Sequence, residues 1–366
     1  MSLREIRRHA GQLAILGFAG HEIPADLRTI AREFDLGGVI LFARNVVEPA
    51  QVLEVSWQAR ELRRELPLWV SVDQEGGRVA RLRDPFTVWP PMMTLGRAPE
   101  GDREALARRF AKALAAELTA VGINLDYAPV LDIHTNPGNQ VIGDRALGEQ
   151  PETVAALGRA IIETLQGEGI AACGKHFPGH GDTSADSHHE LPIVEHPPER
   201  LREVEFAPFR AAVGARVASI MTAHVLVPSL DETLPATLSP AIVDAILKRE
   251  LGFDGVVLSD DLEMKAVGAR YGPAEAAAKA LAAGCDAVLV CGPDPDTHVA
   301  AIEGIIRAVE RGDLPLSRVE DALARQRRVK ERFLVAEPAR LDPRRLRDVL
   351  GRGEHRAVAE EMARFA

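Results

Sequence analysis

The chain switches eight times between a short apolar run rich in β-formers and a longer amphipathic stretch rich in Ala, Arg, Glu and Leu. The runs lie at 13–18, 38–41, 68–72, 124–127, 170–174, 219–222, 256–259 and 287–290. The helical stretches lie at 25–35, 49–64, 103–122, 152–167, 198–214, 241–252, 273–284 and 296–312. Gly122, Gly252 and Gly284 stand where helix C-caps belong, and Ser239-Pro240 reads as an N-cap followed by a first-turn proline. Strands alternating with helices predict parallel βαβ units. Eight of them predict closure into a (β/α)8 TIM-type barrel. An open doubly wound sheet would usually carry a G-x-G-x-x-G loop after its first strand, and Gly17-Phe18-Ala19-Gly20 is a poor substitute.

Beyond Arg332 the alternation weakens. Residues 336–350 are rich in Arg and Pro, and 354–366 read as one more helix with Val358, Met362 and Phe365 at helical spacing. The expected organisation is a catalytic barrel over 1–335 and a C-terminal helical extension over 336–366, packed on the barrel's outside. Hydrophobic residues make up 46% of the 366, enough for a large core. The 44 basic and 54 acidic residues leave a formal net charge of −10, which argues against nucleic acid or an anionic membrane as partner. No run is long and apolar enough to span a bilayer. The N-terminus lacks a long apolar signal region with a small-residue cleavage site, so the expectation is a cytoplasmic protein, monomeric or weakly dimeric. Cys173, Cys285 and Cys291 sit in apolar strand-like stretches and read as reduced core residues rather than a disulfide scaffold or a zinc site.

Polar residues gather just after the predicted strands: Asp73 to Arg78, Asp132, Lys175 to Asp182, His224, and Asp260-Asp261. In a barrel these strand ends share one face, the one that holds active sites. The densest segment, KHFPGHGDTSADSHH from Lys175 to His189, admits three readings. It is a polar surface loop; or it supplies metal ligands from His180, Asp182, His188 and His189; or it does acid/base work. In the last case Asp186 and His188 stand two apart, and a carboxylate beside an imidazole orients the ring and raises its pKa. Asp261, followed by Leu-Glu-Met, reads as a helix N-cap, which leaves Asp260 to point into the barrel mouth as nucleophile or base. Asp73 offers an acceptor, and Arg81, Arg145 and Lys175 offer donors. With aromatic residues at only 4%, such a pocket suits a single polyhydroxylated sugar rather than a long stacked chain.

Four segments carry a resemblance. SVDQEGGRVAR (71–81), NPGNQVIGDRALG (136–148), KHFPGHGDTSADSHH (175–189) and GFDGVVLSDDLEM (252–264) resemble glycoside hydrolase family 3, and most closely its β-N-acetylhexosaminidase branch. The match runs in order from about residue 10 to 335. It implies a barrel enzyme without cofactor or metal that hydrolyses terminal β-linked GlcNAc with retention, by analogy from peptidoglycan-derived fragments being recycled. By motif position it makes Asp260 the nucleophile and His188 the acid/base, with Asp186 as its partner. Asp73, Arg81, Arg145, Lys175 and His176 fall on sugar-binding positions. The β-glucosidase branch typically draws a Glu from a second domain, which is not expected here; 354–365 resembles the helix that leads into that domain in two-domain relatives. The alternatives are a β-glucosidase-like enzyme of the same family, a metal-dependent barrel hydrolase, and a catalytically silent sugar-binding protein.

Overall fold

Eight short strands define the barrel: β1 (Ala14–Leu16), β2 (Gly38–Leu41), β3 (Trp69–Val72), β4 (Leu125–Asp126), β5 (Ala171–Phe177), β6 (Ser219–Thr222), β7 (Val256–Asp261) and β8 (Ala287–Val290). They come from a computed structural model that describes residues 3–183, 191–334 and 342–366. Each strand pairs in parallel with the next, and β8 returns to β1, so the sheet closes. The predicted (β/α)8 TIM-type barrel is the fold observed, with helices between the strands. No described helix is long and apolar enough to cross a membrane.

The two-residue period of a strand sorts its side chains into two cores. Ile15, Ile40, Trp69, Leu125, Ala171, Cys173, Val256, Leu258, Ala287 and Leu289 fill the barrel's interior. Their neighbours Leu16, Val39, Leu41, Val70, Val72, Ala172, Val257, Val288 and Val290 face the helices. The helices answer with an apolar stripe: Arg103–Ala120 buries Leu106, Ala107, Phe110, Ala111, Leu114, Ala115 and Leu118. Gly122, Gly252 and Gly284 all adopt positive φ just past helices, as their C-cap reading required.

Two of the helix readings are corrected by the structure. The helix expected over 198–214 is two, Pro198–Glu203 and Ala207–Gly214, because Pro208 has no N–H to give and its ring obstructs the preceding turn. Asp261 caps no helix. Its Oδ1 accepts the N–H groups of Glu263 and Cys291, each at 3.1 Å, and the next short helix begins only at Lys265.

After a turn at Pro343–Asp348, the helix Gly353–Ala363 buries His355, Val358, Ala359 and Met362. It lies against Arg103–Ala120, where the buried carboxylate of Glu117 gathers four donors. Thr87 gives its N–H and its hydroxyl, at 2.9 and 2.7 Å; Gly351 gives its N–H at 2.9 Å; His355 gives Nδ1–H at 2.8 Å.

Candidate active site

The inward-facing rows continue upward into polar residues at the strands' C-terminal ends. Trp69 and Ser71 lead to Asp73; Ala171 and Cys173 lead to Lys175; Ile40 leads to Phe42; Leu289 leads to Cys291. Two strands also bulge at these polar ends. On β5 the register slips between Lys175 and Phe177, and on β7 the three steps from Leu258 to Asp261 are matched by two on β8, from Ala287 to Leu289. A bulge re-aims side chains. Lys175 with His176, and Asp260 with Asp261, all line one hollow at the mouth. Asp73, Glu75, Arg81, Arg145, His180, Phe42, Met221, Met264 and Cys291 are among the others that line it. It encloses about 270 Å³, below the roughly 300–1,000 Å³ of pockets for drug-sized ligands. Other hollows lie at the barrel's opposite end, around Leu68 and Ile170 and around His9 and Asp35, away from these strand-end groups.

Charge is paired throughout the pocket wall. Lys175 is 2% exposed and its ammonium donates to Asp73 Oδ1 at 2.7 Å and sits 2.6 Å from Glu75 Oε1. Arg81 meets the other oxygen of Asp73 at 3.3 Å and lies over the Phe42 ring. Burial alone would raise the Glu75 carboxyl, but Arg145 and Lys175 beside it hold it well below the ordinary carboxylate range. Asp73 is likewise held low, by Lys175 and Arg81 against the pull of burial. Burial would also neutralise Lys175, yet Asp73 and Glu75 keep it firmly charged.

Behind His176 lies Asp132, buried at the end of the chain leaving β4. Its Oδ2 accepts His176 Nδ1–H at 2.7 Å and the His176 N–H at 3.2 Å, while Oδ1 accepts the His180 N–H. His176 thus comes to the mouth with its ring orientation fixed. Asp126, on β4 itself, takes the Gln74 N–H at 2.9 Å; burial lifts its carboxyl well above the ordinary range. The Asp260 carboxylate takes the N–H of Asp261 on Oδ1 at 2.8 Å.

Of the residues singled out in the sequence, Asp73, Arg81, Arg145, Lys175, His176 and Asp260 meet in this pocket. Asp186 and His188 lie outside the described residues, as does His189. His180 lines the pocket with Nδ1 2.7 Å from Thr183 Oγ1, and Asp182 pairs with His196. Among the described residues no group of three or more His, Cys, Asp or Glu side chains is placed to hold a metal ion. Sequence reasoning missed Glu75, Asp126, Phe42 and the orienting role of Asp132. The signal for Glu75 was present: it sits two residues from Asp73, so in an extended segment both face one way.

Comparison with known proteins places this architecture. The model of the glycosyl hydrolase family 3 N-terminal domain matches residues 5–329. A β-hexosaminidase of Thiobacillus denitrificans is 43% identical over 281 residues, covering 76% of this chain and 77% of that protein. The solved family 3 β-N-acetylglucosaminidase of Paenibacillus sp. FPU-7 superposes with a TM-score of 0.91 at 40% identity, over 100% of this chain and 69% of that one. NagZ of Neisseria gonorrhoeae, solved with N-trifluoroacetyl-D-glucosamine, superposes with a TM-score of 0.79 at 32% identity, over 97% of this chain and 98% of that one. With a family match across most of its length and a barrel whose strand-end carboxylates and cations converge on one small pocket, the chain belongs to glycoside hydrolase family 3, in the β-N-acetylhexosaminidase branch.

Proposed function

We propose that the enzyme is a retaining exo-β-N-acetylglucosaminidase that removes terminal β-linked GlcNAc. The observation that carries the reading is the pocket itself: Asp260 at a bulged strand end, facing a wall in which Asp73, Glu75, Lys175, Arg81 and Arg145 are already paired. Fixed donors and acceptors of this kind bind one hydroxylated ring and cost little reorganisation when it arrives. The small volume favours a single sugar over a chain.

In the proposed mechanism Asp260 attacks the anomeric carbon and His188, protonated, gives its proton to the leaving oxygen. Water, deprotonated by His188, then releases the sugar. Asp186 balances the imidazolium. Imidazole starts near a pKa of about 6.5, so it serves as acid and base at neutral pH with less tuning than a buried Glu would need. Asp73, Arg81, Arg145, Lys175 and His176 hold the ring. Peptidoglycan-derived fragments in the cytoplasm are the substrate and setting we favour, with 336–366 as an extension packed on the 1–335 barrel. The resemblance of the motif segments supports these roles, and the named relatives support the sugar class.

The test is a chromogenic β-GlcNAc glycoside compared with the β-glucoside, with and without chelator, for the wild type and Asp260→Asn. The expected result is a clear preference for GlcNAc, no effect of chelator, and loss of turnover in a variant that still unfolds at the wild-type temperature. Equal kcat/KM on the two sugars, zinc-restorable activity, or an active Asp260→Asn variant would each refute the part it addresses.

A further inference from the structure

The turn that carries Asp260 is gripped from a side the sugar-facing residues do not account for. His224 lies two residues beyond β6 and is fully buried. Its Nε2 stands 2.9 Å from the main-chain carbonyl of Asp261, and its Nδ1 stands 2.8 Å from Thr237 Oγ1. A carbonyl can only accept, so Nε2 carries a proton. Thr237 Oγ1, beside Nδ1, also lies 3.0 Å from the Ala223 carbonyl, to which it can donate, and 2.9 Å from the Thr222 hydroxyl on β6. The chain of hydrogen bonds therefore runs from β6, through the ring, to the end of β7.

Asp261 is held elsewhere too. Its side chain takes the N–H groups of Glu263 and Cys291, the latter just past β8. With its side chain tied toward β8 and its carbonyl tied toward β6, Asp261 has little freedom to rotate. Its own N–H consequently stays on Asp260 Oδ1, at 2.8 Å. That bond occupies one carboxylate oxygen and fixes the direction of the other.

We propose that His224 is a positioning residue for the catalytic carboxylate. By anchoring the Asp261 carbonyl it keeps the Asp261 N–H on one oxygen of Asp260 and leaves the second aimed at the anomeric carbon. The proposal rests on Asp260 being the nucleophile. It predicts a defect in the covalent step and not in sugar binding, because His224 belongs to the support of β7 and not to the binding wall.

The experiment follows covalent trapping with 5-fluoro-N-acetylglucosaminyl fluoride, in which Asp260 forms a bond to the anomeric carbon and fluoride departs. In His224→Asn the amide occupies the Nδ1 position and leaves the Asp261 carbonyl without its donor. In His224→Gln the longer side chain carries an N–H to the Nε2 position. Misplacement of a reacting group by about 1 Å costs on the order of 100-fold, so His224→Asn should trap about 100-fold more slowly while GlcNAc affinity by calorimetry changes less than about three-fold. His224→Gln should recover to within about ten-fold of wild type. Trapping at the wild-type rate in His224→Asn, loss of GlcNAc binding in step with trapping, or a Gln variant no better than Asn would overturn the proposal. Should the Asn variant not fold, Thr237→Val removes the hydroxyl that holds the ring at Nδ1 and should slow trapping about ten-fold with binding retained; an unchanged rate overturns the proposal. A wild-type adduct on a residue other than Asp260 overturns the nucleophile reading, and the proposal with it, before any variant is compared.

Discussion

Glu75 and Arg145 face each other through two parallel hydrogen bonds, Nε to Oε2 and Nη2 to Oε1, each 2.8 Å long. The pair joins two segments far apart in sequence, the hairpin strand Gln74–Gly76 and the turn Gly143–Arg145 inside a long connection. Both loops that follow adjacent strands β3 and β4 are thereby tied into one wall. Glu75→Gln keeps the shape and removes the charge that Arg145 and Lys175 both rely on. Breaking one side of a buried pair typically costs about 3–5 kcal/mol. The expected outcome is a loss of that order in chemical denaturation together with weaker GlcNAc binding. A loss under about 1 kcal/mol with unchanged affinity would show that the wall is held by other contacts.

Asp261 gives the protein an acid-range signature opposite to that of Asp73 and Glu75. Burial raises its carboxyl from the ordinary 3.8 to about 6. Below 3.8 it is protonated folded or unfolded. Between 3.8 and about 6 the folded protein keeps a proton that the unfolded chain releases, so stability falls as pH rises through this window. Asp261→Asn retains the Oδ1 acceptor for Glu263 and Cys291 and removes the titration. Unfolding free energies measured from pH 4 to 7 should show the variant gaining up to about 3 kcal/mol on the wild type across that range. Parallel curves would refute the buried carboxyl as the source.

Asp132 holds its three donors as a carboxylate, kept below the ordinary range by His176 and His180 although burial pushes the other way. The depressed value means that its contribution is present above about pH 4 and is lost as pH falls. Asp132→Asn turns one acceptor into a donor facing N–H groups. The cost should be about 1–3 kcal/mol in stability, with KM rising more than kcat falls because the His176 ring is released. An Asn variant with wild-type KM would mean that the ring orientation does not matter for binding.

The acid/base role assigned to His188 has its own kinetic mark. His188→Ala should hardly slow a substrate whose leaving group departs without a proton and should strongly slow a natural disaccharide. Comparing kcat/KM on a nitrophenyl glycoside and on a GlcNAc disaccharide should show a gap of about 100-fold or more between the two losses. Equal losses on both would pass the role to another group.

The barrel was legible because most strand residues are apolar on both faces, which leaves short apolar runs in the sequence. The strand boundaries failed at β5 and β7. There Lys175-His176 and Asp260-Asp261 look like loop residues, and only the surrounding counter-charges and hydrogen bonds allow them to continue a strand. The polar groups of the pocket were visible as strand-end residues, but their pairing was not. Lys175 meets Asp73 across 102 positions and Arg145 meets Glu75 across 70, distances over which local pattern carries no information. Asp132 was seen as one more polar strand end; that it takes three donors follows from the path of the chain after β4.

The four donors on Glu117 also bear on how this protein can be trimmed. Gly351 and His355 supply two of them, and Thr87 supplies the others from the segment that backs the Asp73–Arg81 hairpin, where Trp89 accepts the Gly77 N–H at 2.9 Å. A cut after residue 335 would leave a buried carboxylate with half its donors gone, directly behind the segment that supports the Asp73–Arg81 hairpin. Residues 342–366 thus buttress the Asp73–Arg81 hairpin from behind, and a chain cut before them should be less stable there.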